Sequence, residues 1–355
     1  MSRFAFFTNI PTPHKVYLFN LLHERLNGEI TFYFLSKTTK KRKVWEDSLK
    51  DANFPYEILE SRVFRVNFGD EGYWFFPKRL PDIKRFKKVV ISGGLTPLEL
   101  FLAFRCVANG VPYIVWSEAI NLFGGNIVLR ALRIPIRFLI FSLAECVVCG
   151  SSMAEKHART LGAKRTIINY TTTNLNAFLY DKKHSGRCLN IIYLGRLIKR
   201  KGVDTLIKAV SGLNWVKLYI VGDGEERENL KALAKRLNVG AEFINWKDYN
   251  DIPRFIRKFD ILVLPSKNEV FGYVVLESLA SGVLPIVSEC VGSKDLLNDF
   301  LVFKFGDYNG LKDKITSLRS SKLRNKLVNE LKDKVLRCAS PEVWADKFFK
   351  ILTKS

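Results

Sequence analysis

Glu269 and Glu277 flank Phe271-Gly272-Tyr273 in the stretch PSKNEVFGYVVLESLASG, residues 265–282. The apolar spacing predicts a helix over 273–280 that opens just after Glu269. One carboxylate therefore precedes the helix. The other lies about two turns inside it, among Leu276, Leu279 and Ala280. Between them the first turn offers backbone N–H groups with no partner inside the helix. Carboxylates accept hydrogen bonds from sugar or ribose hydroxyls, and the amides suit a phosphate. A carboxylate on so apolar a stretch is costly without a partner. Taken alone, the same residues are also compatible with a capped helix carrying a solvated glutamate.

Two neighbouring loops carry matching chemistry. After a predicted strand over 190–194 come Gly195-Arg196 and then Lys201-Gly202. A glycine at a strand end lets a ligand approach the backbone, and Arg and Lys can clamp a diphosphate. After a strand over 217–221 comes Gly222-Asp223-Gly224-Glu225, a small-residue loop opening a helix whose amides favour anions. An isolated pair of cations or one glycine-rich loop is also what an ordinary solvated turn looks like.

The elements that hold these loops alternate. Apolar runs at 4–8, 30–35, 89–92, 112–116 and 146–149 predict strands in the first half, and runs at 190–194, 217–221, 242–244, 261–264, 284–287 and 301–303 in the second. Helical patterns fall over 16–26, 98–108, 226–237, 252–258, 273–280 and 319–335. Alternation of this kind argues for two α/β sheets of mostly parallel strands, with ligands at the carboxyl ends of the strands. The domains are expected at 1–180 and 188–339, joined by polar stretches at 171–176 and 181–187. Ser340-Pro341 opens an amphipathic helix over 340–355 that could cross back to the first domain.

Composition sets the outer bounds. The chain has 355 residues, 47% hydrophobic and 26% charged, which excludes a disordered chain, a collagen-like chain and a disulfide-stapled miniprotein. No apolar run reaches the length of a bilayer span. The first residues lack a signal-peptide cleavage pattern, so a cytoplasmic location is expected. Lys and Arg number 57 against 35 Asp and Glu, a net charge of +22 spread over both halves. Such a surface favours phosphates, acidic lipids or nucleic acid. Of the six cysteines only Cys146 and Cys149 are close, and on a strand they face opposite sides. With no second pair, and His157 the nearest histidine, they read as buried thiols of a reducing compartment.

The second half resembles the C-terminal domain of family 4 retaining glycosyltransferases of the GT-B fold. The resemblance rests on LGRLIKRKGVDTLIKAV (194–210), LYIVGDGEERENLKALA (218–234), the 263–288 segment with its Glu269-x₇-Glu277 spacing, and GSKDLL (292–297), together and in the family's order. It is strong over 188–300. It is weaker in FFTNIPTPHKVYLFNLL and SLAECVVCGSSMAEKHARTLG of the first half. The resemblance implies an α/β GT-B protein with two Rossmann-like, doubly wound domains facing a cleft. It implies a hexose-type donor linked to a nucleotide, and retention of anomeric configuration by front-face attack. Arg196 and Lys201 would bind the donor diphosphate. Glu277 would bind the ribose hydroxyls. Glu269, with the amides of Phe271 and Gly272, would hold the transferred sugar. Gly195 and Gly222 would admit the nucleotide, and residues around Asn245 would lie near the base.

No cofactor and no metal are expected: there is no Asp-x-Asp, and four scattered histidines give no ligand spacing. The chain also departs from the family. Asn9-Ile10-Pro11-Thr12-Pro13-His14 stands where a Gly-Gly loop is usual, and Ser117-Glu118 where many members have a histidine. His14 and Glu118 are the acceptor-side candidates.

The stretch NIVLRALRIPIRFLIFSLA (126–144) places Arg130, Arg133 and Arg137 on one helical stripe in an otherwise apolar run without an acid. Pro135 and three arginines argue against a membrane span and for a basic amphipathic helix lying on an anionic surface. Trp74, within Gly72-Tyr-Trp-Phe-Phe-Pro-Lys-Arg79, and the basic run at 40–43 add aromatic and cationic anchors. The competing reading is a core helix with a solvated arginine stripe. The expected partners are thus a nucleotide-sugar and a lipid-linked acceptor at the inner face of the cell membrane. A soluble acceptor and a catalytically silent homologue are the alternatives. No nucleic-acid partner is expected, since no nucleic-acid module accompanies the charge.

Overall fold

The computed structural model describes residues 2–37, 48–67, 71–92, 97–118, 127–185 and 188–354. It divides into two compact units, residues 1–174 with 341–355, and residues 175–340.

The first unit is built on strands β1 (Phe4–Thr8), β2 (Ile30–Phe34) and β3 (Tyr56–Ile58), a hairpin of β4 (Ser61–Asn67) and β5 (Glu71–Pro77), then β6 (Lys88–Ser92), β7 (Tyr113–Ser117), β8 (Cys146–Cys149) and β9 (Thr166–Ile168). Helices α1 (Pro13–Arg25), α2 (Pro97–Ala108), α3 (Ile127–Ser142) and α4 (Ser152–Thr160) connect them. Seven strands form one parallel sheet in the order β3-β2-β1-β6-β7-β8-β9, and β4 and β5 pair antiparallel apart from it. Strand side chains alternate between two cores, as the pleat requires. Ala5, Phe7 and Cys149 join Leu102, Phe141 and Ala158 of α2, α3 and α4. Phe4, Phe6 and Cys146 join Phe19 and Leu22 of α1 on the other face. Cys146 and Cys149 thus lie in separate cores, and burial raises both thiols well above the ordinary range.

The second unit runs β10 (Leu189–Leu194), α5 (Val203–Val210), β11 (Val216–Val221), α6 (Arg227–Arg236), β12 (Ala241–Ile244), α7 (Ile252–Ile256), β13 (Ile261–Leu264), α8 (Tyr273–Ala280), β14 (Leu284–Ser288), β15 (Val302–Phe303), α9 (Tyr308–Ser317) and α10 (Ser321–Ala339). Its six strands are parallel in the order β12-β11-β10-β13-β14-β15. The order reverses between β10 and β13, so the loops after β10, β11 and β13 open at a switch point. ILVL of β13 is buried throughout, as a strand covered on both faces must be.

The unit begins at Leu175, earlier than the expected 188. The reason is packing of residues 175–185, which overlap the expected linker stretches 171–176 and 181–187. Phe178 is buried and its carbonyl accepts from Ser281 Oγ at 3.1 Å, and Tyr180 N donates to Ala280 O at 2.9 Å. His184 Nδ1 lies 3.1 Å from Asp260 Oδ1. Burial alone would raise the Asp260 carboxyl. His184, the Asn190 N–H at 3.0 Å and Lys182 outweigh it and hold the group at about 2.

Helix α11 (Pro341–Thr353) belongs to the first unit and packs on α1. Trp344 is fully buried and meets Trp116 edge-on at 5.6 Å and Phe348 at 4.5 Å. Its carbonyl accepts from Asn169 Nδ2 at 3.1 Å. The buried Lys88 ammonium donates to Ile351 O at 3.4 Å, Lys354 O at 3.0 Å and Glu145 Oε1 at 2.9 Å. It caps the helix where the macrodipole is negative.

Candidate functional site

In the second unit the side chains predicted for chemistry gather on the loops after β10, β11 and β13. After β10 a short 3₁₀ turn, Lys199–Lys201, ends at Gly202 with φ +64°. A Cβ there would fall 2.2 Å from Pro265 O, so only glycine lets this turn lie against the loop after β13. The approach puts the Lys201 ammonium in an ion pair with Glu269. Ser266 Oγ reaches the same carboxylate at 3.4 Å. Arg200, not singled out in the sequence, ties the two loops together: its Nη1 donates to Asn268 O at 2.9 Å, and its carbonyl accepts from Lys267 N at 2.8 Å. Glu269 itself is pinned from the far side, its N–H donating to Cys290 O at 3.2 Å and its carbonyl accepting from Gly292 N at 3.1 Å.

Gly272, in the left-handed region, starts α8, and Phe271 before it is buried. The first-turn amides therefore begin two to three residues past Glu269. Glu277, only 6% exposed, points from α8 to Tyr249, whose hydroxyl donates to Oε1 at 3.0 Å. Burial pushes the Glu277 carboxyl up, the Tyr249 hydrogen bond opposes that, and the group rests at about 7. A carboxylate that keeps its proton near neutrality in this way is a marker of functional sites.

After β11, Gly222 has φ +137°, and a Cβ on it would sit 2.0 Å from Gly195 O. The two glycines thus bring the ends of β10 and β11 into backbone contact. Arg227 clamps the turn through Gly222 O at 2.7 Å. Arg196 is exposed, and its carbonyl accepts from the buried Tyr193 hydroxyl at 2.8 Å. Asn245 and Trp246 follow β12 and are exposed. Tyr249 lies outside the stretch 245–247 expected near the base, which includes Trp246. The signal was present in two aromatic residues within five positions of a strand end, WKDY, where a solvated loop has no need of them.

The acceptor-side candidates belong to the first unit. His14 pairs with Thr12 Oγ1 at 3.1 Å. Glu118 follows β7, and burial raises its carboxyl against the opposing effects of Lys15 and Thr171. Lys15, unremarked in the sequence, is itself buried and donates to Thr8 Oγ1 at 2.8 Å and Asn9 Oδ1 at 2.7 Å. These groups collect at the carboxyl ends of β1 and β7.

Trp74 lies half-buried on β5, and Arg137 is half-buried on α3. Arg130 and Arg133 fall in the early turns of α3, with side chains outside the described residues, as is the basic run at 40–43. Of the three α3 arginines the structure describes the side chain of Arg137, which is half-buried. The core residues Ile140 and Phe141 follow it by one turn, and the exposed positions are the apolar Ile134, Phe138 and Leu139. Among the described residues no helix is long and apolar enough to cross a membrane, and no group of three His, Cys, Asp or Glu is placed to hold a metal ion.

Two parallel α/β sheets of this topology are the GT-B architecture. HepE of Anabaena, solved with UDP, superposes with a TM-score of 0.75 at 13% identity over 99% of this chain and 100% of that one. Residues 181–334 match the family Glycosyl transferases group 1. The chain is 30% identical over 230 residues to the lipopolysaccharide core biosynthesis glycosyltransferase LpsE of Rhizobium meliloti, covering 61% of this chain and 67% of that protein. It is 32% identical over 278 residues to the O-antigen biosynthesis glycosyltransferase WclY of Escherichia coli, covering 69% and 74%. It spans 53–67% of the length of several further curated glycosyltransferases and LpsE. The protein belongs to the group 1 glycosyltransferases.

Proposed function

We propose that the protein is a metal-independent, retaining family 4 glycosyltransferase. It moves a hexose-type sugar from a nucleotide-sugar to a glycolipid or lipid-linked surface glycan at the cytoplasmic membrane face. The observation that carries the reading is the Lys201–Glu269 pair held against the start of α8, with Glu277 and Tyr249 on the same helix's flank. The names of LpsE and WclY support a lipopolysaccharide or O-antigen type of product. HepE, solved with UDP-glucose, supports a nucleotide-sugar donor.

In this reading the donor diphosphate takes the Lys201 ammonium from Glu269 and meets the α8 amides and Arg196. As the sugar–oxygen bond breaks, negative charge grows on the phosphate, and these fixed cations and dipoles stabilise it. Glu269, released from Lys201, accepts from hydroxyls of the transferred sugar. Glu277, ionised, accepts from the ribose hydroxyls. The acceptor hydroxyl attacks from the face the phosphate leaves, which retains the anomeric configuration. His14 and Glu118 are the acceptor-side groups.

The test incubates the protein with radiolabelled UDP-, GDP- and ADP-sugars and vesicles carrying total polar lipid, and counts label in the organic phase. One donor should label lipid, and Lys201→Ala and Glu269→Ala, with unchanged circular dichroism, should abolish transfer. Normal transfer by both variants would refute the site. Release of free nucleotide without labelled lipid would point to a soluble acceptor.

A further inference from the structure

Helices α2 and α3 pack side by side in the first unit, and both turn apolar side chains to solvent. On α2 these are Phe101 (52% exposed), Phe104 (65%) and Val107, spaced by three residues along one face. On α3 they are Ile134, Phe138 (49%) and Leu139. Large aromatic side chains this exposed and this close are uncommon on a freely soluble surface. The fold does not need them there: the inner faces of both helices already supply Leu102, Cys106, Ile140 and Phe141 to the core.

The hairpin β4–β5 packs against α2 and adds to the picture. Phe75 points into the core. The opposite face of the hairpin carries the exposed Phe64 and Phe76, in edge-on contact at 5.5 Å. The sequence's aromatic cluster is therefore split by the pleat, Phe75 to the core and Phe76 outward.

Charge decides what these faces meet. The acid of α2, Glu99, is buried, and α3 has none. Residues 119–144 contain no acid at all, while Arg130, Arg133 and Arg137 lie on α3. Exposed Arg62, Lys78 and Arg79 border the hairpin. The described outer positions of α2 and α3 carry no exposed carboxylate, and of the hairpin's cations Lys78 is paired with the exposed Glu60 while Arg62 and Arg79 are exposed beside it. An apolar face so bordered complements a surface that is greasy within and anionic outside. A protein partner would need a matching acidic rim. A second copy of this chain, at +22, would bring like charge to like.

We infer that the paired outer faces of α2 and α3, with the β4–β5 hairpin beside them, form a docking surface that inserts into the interface of an anionic lipid bilayer. The inference deepens the membrane-face part of the proposed function and locates it on these two helices. Phe101, Phe104 and Phe138 enter the acyl boundary, and the exposed Arg62 and Arg79 meet the headgroups.

Flotation with vesicles of phosphatidylcholine containing phosphatidylglycerol tests it, with pure phosphatidylcholine as comparison. The protein should float with the anionic vesicles and less so as salt rises. Phe101→Ser with Phe104→Ser, and separately Phe138→Ser with Leu139→Ser, should each lower partitioning by about tenfold or more. Both pairs are at solvent-exposed positions, and an unchanged thermal transition checks the fold. Phe104→Trp supplies a second readout: lipids brominated near the headgroup should quench its fluorescence. Wild-type flotation by both double variants, or no quenching in Phe104→Trp, overturns the inference. So does a dimer in sedimentation that the variants dissociate while the native protein ignores vesicles. Lys201→Ala should float normally. If it does and the native protein transfers no sugar, the docking surface stands and the enzymatic reading falls.

Discussion

Replacing Glu277 by Gln should stabilise the protein at neutral pH while impairing donor use. The carboxyl rests at about 7 in the folded chain, against an ordinary value of 4.5. Because the folded value is raised for an acid, the sign runs opposite to that of a salt-bridged carboxylate. Between about pH 4.5 and pH 7 the unfolded chain gives up this proton and the folded chain keeps it. Stability therefore falls by about 1.4 kcal/mol per pH unit, about 3 kcal/mol in all, and levels off above pH 7. Glutamine has the shape of the protonated acid, and its oxygen can accept from the Tyr249 hydroxyl as Oε1 now does. It carries no such penalty. Urea unfolding of the native protein and Glu277→Gln should coincide near pH 4 and diverge to about 3 kcal/mol at pH 8, with Gln the more stable. Comparing the two at each pH cancels every other titrating group. A constant offset, or a Gln variant less stable at pH 8, would show that Glu277 is ionised in the folded chain and that its burial has another compensation.

Other predictions follow from the same geometry. Tyr249→Phe removes the hydrogen bond that opposes burial, so Glu277 rises further. The acid limb of kcat/KM for the donor, expected near pH 7, should move upward, and a purely structural role for Tyr249 would lower the rate without moving the limb. Asp260 is 7% exposed and holds Lys182, His184 and the Asn190 N–H, so Asp260→Ala leaves a buried cation and should cost about 3 kcal/mol in urea at pH 7. Its depressed value of about 2 means that this contribution is complete above about pH 4 and is lost as pH falls toward 2, so the gap between native and variant should close there. Gly222→Ala forces the β11 loop off Gly195 O, and donor-dependent nucleotide release should fall by about a hundredfold while the second unit remains folded.

The clustering of the candidate loops was legible because their spacing is local. Glu269, Phe271, Gly272 and Glu277 fall within one turn and the start of one helix, so spacing alone relates them. Lys201 could be named from its loop, but its partner Glu269 is set by the close approach of Gly202 to Pro265 O, a packing fact with no trace in spacing. Tyr249 was missed for the same reason, since a loop after β12 reaches α8 only in three dimensions. The stretches 171–176 and 181–187 read as linker because they are polar, yet His184 pairs with Asp260, and Phe178 and Tyr180 between the two stretches bond Ser281 and Ala280. The helix that carries the α3 arginines, Ile127–Ser142, was legible in the sequence. Which side faces solvent was decided by the sheet beneath it, and there the apolar side lost at Ile134 and Phe138.

Helix α11 also bears on how the molecule is made. Phe6, Phe19 and Trp116 form an apolar face that Trp344 and Phe348 cover. On the ribosome that face emerges early and waits through the synthesis of the whole second unit, which can close its own sheet in the meantime. The first unit is finished only by residues that follow the second unit in the chain. A stop or cleavage just before Pro341 would therefore damage the first unit more than the second, which precedes the cut directly. Anyone wishing to express the first unit alone would have to splice residues 341–353 onto it rather than simply shorten the chain.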